Sequence, residues 1–165
     1  MFRVLRFIRV IGLVGVAAAV AVASAGCSAP MNHAGGPGIV TNGAYVQQPA
    51  SAGATTVGYL DIRNNGAAEE LVSVTTSVGG TVELRAPAEK GVSPVVMRTV
   101  TDIPIPADST TQLIPNSYHL LITDPGPMHD GKDIYLKLTF AHGLTMTVIA
   151  LVTDPQNGGS SYFLN

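Results

Sequence analysis

Asp133-Ile-Tyr-Leu-Lys-Leu-Thr-Phe140 decides the fold class. Ile134, Leu136, Leu138 and Phe140 fall on one side of an extended chain, and Tyr135, Lys137 and Thr139 on the other. A strict period of two is the mark of a strand with one face buried and one wet. His142-Gly143 then makes a tight turn, and Leu144–Val152 returns as the hairpin partner. In that return Met146 shares a face with Leu144 and Val148, which makes it a core residue.

The same alternation extends upstream. Tyr118, Leu120 and Ile122 share one face of a run to Thr123, while His119 and Leu121 share the other. Thr110–Ile114 and the Met97-bearing Val95–Val100 are further strands, separated by Pro104 and Pro106, which forbid continuous ladder bonding. Val82 and Leu84 oppose Glu83 and Arg85 in Thr81–Arg85, which Gly79-Gly80 joins to Leu71–Ser77. Thr55–Asn64 alternates too, with Gly58, Leu60 and Ile62 opposite Tyr59, Asp61 and Arg63, and ends in the turn Asn64-Asn65-Gly66. About eight or nine short strands with Gly, Pro and Asn turns, and no helical period, predict an all-β Greek-key sandwich of Ig-like type.

The amino terminus has a different composition. Arg3, Arg6 and Arg9 precede an apolar run, Val10–Ala23, and the small residues Ser24-Ala25-Gly26 precede Cys27, the one cysteine of the 165 residues. This is the layout of a secretory signal, and the run is shorter than the ~20 residues that span a bilayer. Small residues directly before the cysteine resemble a bacterial lipobox, although Ser24 stands where an aliphatic residue is usual. Residues 1–26 are therefore expected to be a lipoprotein signal and Cys27 the lipidated residue, holding the protein on the extracytoplasmic face of the cell membrane. Residues 27–41, rich in Gly, Pro and Ala and carrying Met31 and His33, read as a flexible tether. Residues 42–153 form the domain, and residues 154–165 a loose tail.

Composition excludes several functions. Without the three signal arginines, six basic side chains face eleven acidic ones, a net charge of about −5, and no basic patch serves nucleic acid. No Gly-x-Ser-x-Gly turn, dinucleotide fingerprint or phosphate loop is present, and the histidines are scattered, so no enzyme is expected. Four separated histidines also lack the spacing of a structural zinc site. Met97 and His119, on neighbouring strand-like runs, offer a thioether and an imidazole, which suit copper better than magnesium or calcium.

Taken together, Gly43-Ala-Tyr-Val46, Thr55–Gly66, Glu70-Leu-Val-Ser-Val74, Val82-Glu-Leu84, Met97-Arg-Thr-Val100, Ile103-Pro-Ile-Pro-Ala107, Ser117-Tyr-His-Leu-Leu121, Pro127–Gly131 and Leu136-Lys-Leu-Thr-Phe140 resemble the PCu(A)C-type periplasmic copper chaperones. The resemblance covers about residues 43–152 and implies a cupredoxin-like β-sandwich that binds Cu(I) at an exposed site. In that family it also implies transfer to a copper acceptor protein, typically toward cytochrome oxidase assembly, by a chain expected here to be monomeric. The family ligands are a His, then ten residues and a Met, then twenty-one residues and His-x-Met. Met97 and His119 keep the twenty-one-residue interval. The first His falls at Arg85, or at Ala86 by strict count, and the last Met at Leu121. Replacement ligands are therefore expected from Met128 and His129 in the loop after the His119 strand, with His142 and the tether pair Met31 and His33 as further candidates. The alternative is a sandwich that has lost its metal and works through protein contacts or another ligand in the cell envelope.

Overall fold

A computed structural model describes residues 38–89, 91 and 93–157. The signal, Cys27, the tether up to Pro37 and the tail beyond Asn157 lie outside the described residues. The described part is all-β apart from a short 3-10 turn at Pro155–Asn157. Ten strands follow one another: β1 (Ile39–Gln47), β2 (Thr56–Asn64), β3 (Glu69–Thr76), β4 (Thr81–Pro87) and β5 (Met97–Val100). Then come β6 (Ile103–Ile105), β7 (Ser109–Leu113), β8 (His119–Thr123), β9 (Asp133–Phe140) and β10 (Thr145–Thr153).

The hydrogen-bonded order is β5-β4-β8-β2-β1-β10-β9-β3-β6, and β7 pairs with β2 alongside β8. Every pairing is antiparallel except β1 with β10, where Tyr45 lies opposite Leu151. The long ladder folds over so that one face encloses the core. Its two arms are tied by the Thr111 hydroxyl, which donates to the Pro104 carbonyl at 3.0 Å, and by Asn64 Nδ2, which donates to Ile105 O at 3.1 Å. The expected alternation sets which side chains go inside. Ile134, Leu136, Leu138 and Phe140 of β9 are buried, as are Leu60 and Ile62 of β2 and Leu120 and Ile122 of β8. Tyr135 and Lys137 face solvent.

Two boundaries differ from the sequence expectation. β1 begins at Ile39, so residues 39–41, assigned to the tether, pair with Asn64, Arg63 and Ile62 of β2 and belong to the fold. β6 is an additional strand, paired with Glu69–Leu71 of β3. Pro104 sits at its centre because β6 is the last strand of the ladder, where a residue without an N–H can face solvent.

Asn64 is the polar knot of the closure. Its side chain donates to Ala67 O at 2.7 Å and to Ile105 O, and accepts from Gly66 N–H at 2.8 Å, while the residue itself is buried. Asn64→Ala leaves these groups without partners. We expect a loss of about 2 kcal/mol in urea unfolding, against a near-neutral change for the exposed Asn65→Ala.

The β3–β4 turn is equally constrained. Gly80 has φ +77, and a Cβ there would lie 2.5 Å from the Thr123 carbonyl. Glycine alone lets this turn pack against the end of β8.

Candidate metal centre

β4, β5 and β8 place the candidate ligands. In antiparallel pairs, directly opposed residues share a face. Arg85 lies opposite both Thr99 and His119, and Pro87 opposite Met97. Met97, Thr99, Glu83, Arg85, His119 and Leu121 therefore occupy the outer face of one sheet, away from Leu84, Ala86 and Leu120, which are buried. The structure thus decides between the two positions left open for the missing histidine. Ala86 is buried on the inner face of the sheet, and Arg85 is on the outer face with His119.

Met97 and His119 share this face with β4 between them and a two-residue offset along the strands. Strand spacing and rise put their Cα atoms about 12 Å apart. A thioether and an imidazole must both reach over β4 to meet, and both residues are half-buried.

The imidazole is held by a backbone carbonyl. His119 Nδ1 lies 3.0 Å from the Ser117 carbonyl. A carbonyl only accepts, so Nδ1 carries the hydrogen, and the neutral ring leaves Nε2 with a free lone pair. The Tyr59 ring packs beside it, with centroids 6.2 Å apart, and Tyr45 packs on Tyr59 at 5.1 Å. Burial pushes both phenol pKa values up, and the neighbouring Tyr45 raises Tyr59 further. Tyr59 stands on the outward side of β2 yet is almost fully covered. No motif in the sequence links either tyrosine to His119. Their signal was the odd positions of β2 and their β1 partners, legible only once the β1–β2 register is known.

Arg85 is locked in place. Its Nη1 donates to Thr99 Oγ1 at 2.7 Å and to Glu83 Oε2 at 3.1 Å, and its Nη2 donates to Met97 O at 3.2 Å. Thr99 in turn donates to Glu83 Oε2 at 2.8 Å. The Thr99 hydrogen bond, then the Arg85 bond and charge, hold the Glu83 carboxyl below its ordinary value of 4.5. A carboxylate with a lowered folded-state pKa contributes stability that is present above the unfolded value and lost as pH falls through the folded one. Titration of the Glu83 side-chain carboxyl by NMR should give a midpoint below 4.5. In Thr99→Val the midpoint should move back toward that value, because the first of its partners is gone.

The other expected ligands do not join this face. Met128 is buried in the hydrophobic core, so its thioether is not presented to an ion from outside. His129 is exposed, but its loop is tied to the far end of the sheet: Asp130 N–H donates to Gln48 Oε1 at 3.0 Å and Gly131 N–H to Val152 O at 2.9 Å. That is the Thr123 end of β8, whereas His119 begins the strand. The expectation that Met128 and His129 fold back over His119 is therefore corrected. The reason is packing, because the apolar side chain of Met128 closes the core beneath the loop. His142, in the β9–β10 turn, is exposed and sits 3.1 Å from Glu69 Oε2. Leu121, where the second thioether is missing, lies opposite Glu83 and Val57. Met31 and His33 lie outside the described residues.

The donors brought to one face and not engaged by Arg85 are thus one imidazole nitrogen and one thioether, while the Glu83 carboxylate and the Thr99 hydroxyl are bonded to the fixed guanidinium on the strand between them. Among the described residues, no group of three or more His, Cys, Asp or Glu gathers in one place. Such a donor set fits a soft monovalent ion better than zinc or a hard divalent cation.

Comparison with known proteins gives the fold the same company. The chain is similar to the structure described as "Copper-bound PCuAC domain from PmoF2", at 17% identity and TM-score 0.59, covering 72% of this chain and 94% of that one. It is similar to "Apo PCuAC domain from PmoF1" at 16% identity and TM-score 0.61, covering 72% and 95%. It also resembles "Solution structure of CuI-DR1885 from Deinococcus Radiodurans" at 24% identity and TM-score 0.57, covering 70% and 77%. At these identities the likeness establishes the cupredoxin-like sandwich. The search of curated proteins found no match. Residues 39–152, nearly the whole described fold, match the family described as "Putative lipoprotein LpqE-like". The chain belongs to the LpqE-like family.

Proposed function

We propose that the protein is a lipid-anchored, extracytoplasmic copper carrier that holds Cu(I) between His119 and Met97 and releases it by ligand exchange. The observation that carries this reading is the His119 ring, whose Nδ1 is held by Ser117 O so that Nε2 faces the same sheet surface as Met97. A thioether needs no deprotonation and an open two-donor site leaves room for an acceptor's ligands to attack, so transfer requires no protein catalysis. Support also comes from the solved relatives of this fold, whose descriptions name bound copper and CuI. The resemblance to the copper chaperones supports cytochrome oxidase assembly as the destination. Anchoring rests on Cys27 behind Ser24-Ala25-Gly26 and on a family described as lipoproteins. With Cys27 as the membrane address, the acceptor is a protein at the same membrane surface.

A second reading has one specific observation in its favour. Arg85 occupies the place of the first family ligand and is bonded to Glu83, Thr99 and Met97 O. A fixed cation there opposes a second one, and a sandwich so altered would act through protein contacts or another ligand in the cell envelope. Competition with a Cu(I) chelator separates the two. The copper reading predicts that the reduced protein takes Cu(I) from the chelator and that Met97→Ala with His119→Ala abolishes this. Equal behaviour of the wild type and the double variant would leave only the second reading.

A further inference from the structure

β5 ends the ladder, with β4 on one side and, among the described residues, no strand on the other. Ala88 N–H donates to Val96 O at 2.7 Å, which sets the phase of the β4–β5 pairing. By the period of two, Ala86 and Arg98 form the next hydrogen-bonded pair, and Met97 and Thr99 turn their backbone groups away from β4. Pro87, which has no N–H, stands opposite Met97 in agreement with this phase. Arg85 covers the Met97 carbonyl. The Met97 N–H and both backbone groups of Thr99 have no backbone partner among the described residues. Val95 and Val96, 37% and 66% exposed, lead into this edge.

Beneath β5, on the side to which Arg98 and Val100 point, is a cleft of about 600 Å³. This is within the range of about 300–1,000 Å³ common for ligand sites. Ala86, Val100 and Pro104 give it apolar walls, and Tyr118 and Asn116 supply polar groups from the β7–β8 turn. Arg98 also lines it and has no carboxylate partner among the described residues. Two acids share the lining: Asp102, whose Oδ2 accepts from Thr101 Oγ1 at 2.7 Å, and Glu89 on the hairpin loop. The charge pattern is one guanidinium without a carboxylate partner among the described residues, in a cleft with both polar and apolar walls, with a carboxylate at either end of the β4–β5 hairpin.

We propose that β5 and this cleft are a docking site for an extended segment of a partner protein, which adds as a strand to β5 and brings one carboxylate to Arg98. Main-chain bonds to Thr99 and Met97 supply affinity, alternate side chains entering the cleft supply selection, and the Arg98 pair fixes the register. A segment with several acids is disfavoured by Glu89 and Asp102. The side chains of the added strand that point the other way lie beside Met97 and Thr99, on the metal face. An acceptor docked in this manner places its own donors next to Met97. This last consequence rests on the copper reading, whereas strand addition does not.

The test uses the full-length protein in detergent micelles, free of copper, and fluorescein-labelled peptides read by anisotropy. The probe is Val-Thr-Glu-Thr-Val-Thr-Val. One control has lysine for its glutamate, and another is N-methylated on alternate amides so that it cannot pair with an edge. We expect saturable binding of the glutamate peptide, at least about tenfold weaker binding of the lysine peptide, and none of the N-methylated one. Arg98→Glu, an exposed position with no bonded partner to lose, should reverse the preference between the two charged peptides. His119→Ala, in β8 and outside the docking edge, should retain peptide binding even while losing copper, so the failure of one proposal is visible apart from the other. Equal affinity for both charges, unchanged binding of the N-methylated peptide, no saturable binding, or an edge occupied by a second copy of this chain in sedimentation would each overturn the proposal.

Discussion

Arg85→His combined with Leu121→Met should raise the affinity for Cu(I) by about tenfold to a hundredfold, equivalent to about 1.4–2.7 kcal/mol. Two physical terms act together. The first is removal of a fixed positive charge. Unit charges about 5 Å apart at an effective dielectric of about 20 repel by ~3 kcal/mol, and Glu83, 3.1 Å from Arg85, already offsets part of this. The second is donor number. Residue 85 lies directly opposite His119 on the outer face, where opposed Cβ atoms are about 5 Å apart. Residue 121 is two positions along the same strand and on the same face as His119. Leucine to methionine conserves volume and costs less than about 1.5 kcal/mol in a packed site, and Leu121 is only half-buried. Chelator competition on the single and double variants measures the gain. No change in the double variant would mean that the ion, if held, is held elsewhere.

Phe140→Ala should cost about 3–5 kcal/mol of folding stability. Phe140 is 1% exposed, sits opposite Leu71, and ends β9 where its N–H donates to Leu144 O to close the hairpin. Alanine keeps that backbone bond but leaves a void among the side chains of the core, which relax into it only in part. A single cysteine allows no disulfide within the chain, so nothing covalent holds the sandwich while the core loosens. The loss is a large share of the roughly 5–15 kcal/mol typical of a domain. Urea unfolding should show a much lower midpoint with an unchanged slope. Tyr135→Ala, half exposed on the other face of the same strand, should stay within about 0.5 kcal/mol of the wild type.

The contrast between Phe140 and Tyr135 shows why most of the fold was legible in the sequence. Alternation assigns each residue of β2, β4, β8 and β9 to a face, and the structure buries the side expected in each, with Tyr59 of β2 covered on the outer side as well. The strand ends were less legible, because backbone pairing depends on the neighbour. Ile39 is a strand residue only because Asn64 is opposite, and Pro104 is acceptable in β6 only because that strand is an edge. The interval shared with the copper chaperones paired Met97 with His119, and the strand register puts both on one sheet face. They were not enough for Met128. A thioether in a proline-rich loop has no period to say whether it points in or out, and the core took it. Counting residues also left Arg85 and Ala86 equivalent, whereas the pleat makes them opposites. The Arg85–Glu83–Thr99 network and the tyrosines beside His119 belong to cross-strand register, which no single strand encodes.

The candidate site is consequently a reduced version of a ligand set that the fold could carry. His119 is oriented, Met97 faces the same side, and the positions of the two absent donors hold Arg85 and Leu121. Low donor number is compatible with a carrier whose task is to give the ion away. It also makes the coordination sphere the quantity to measure. X-ray absorption at the copper edge of the Cu(I)-loaded protein should show a low-coordinate ion with one sulfur and one imidazole nitrogen. The sulfur contribution should disappear in Met97→Ala, and the imidazole contribution in His119→Ala. A spectrum without sulfur, or one that neither substitution changes, would contradict the assignment of copper to Met97 and His119.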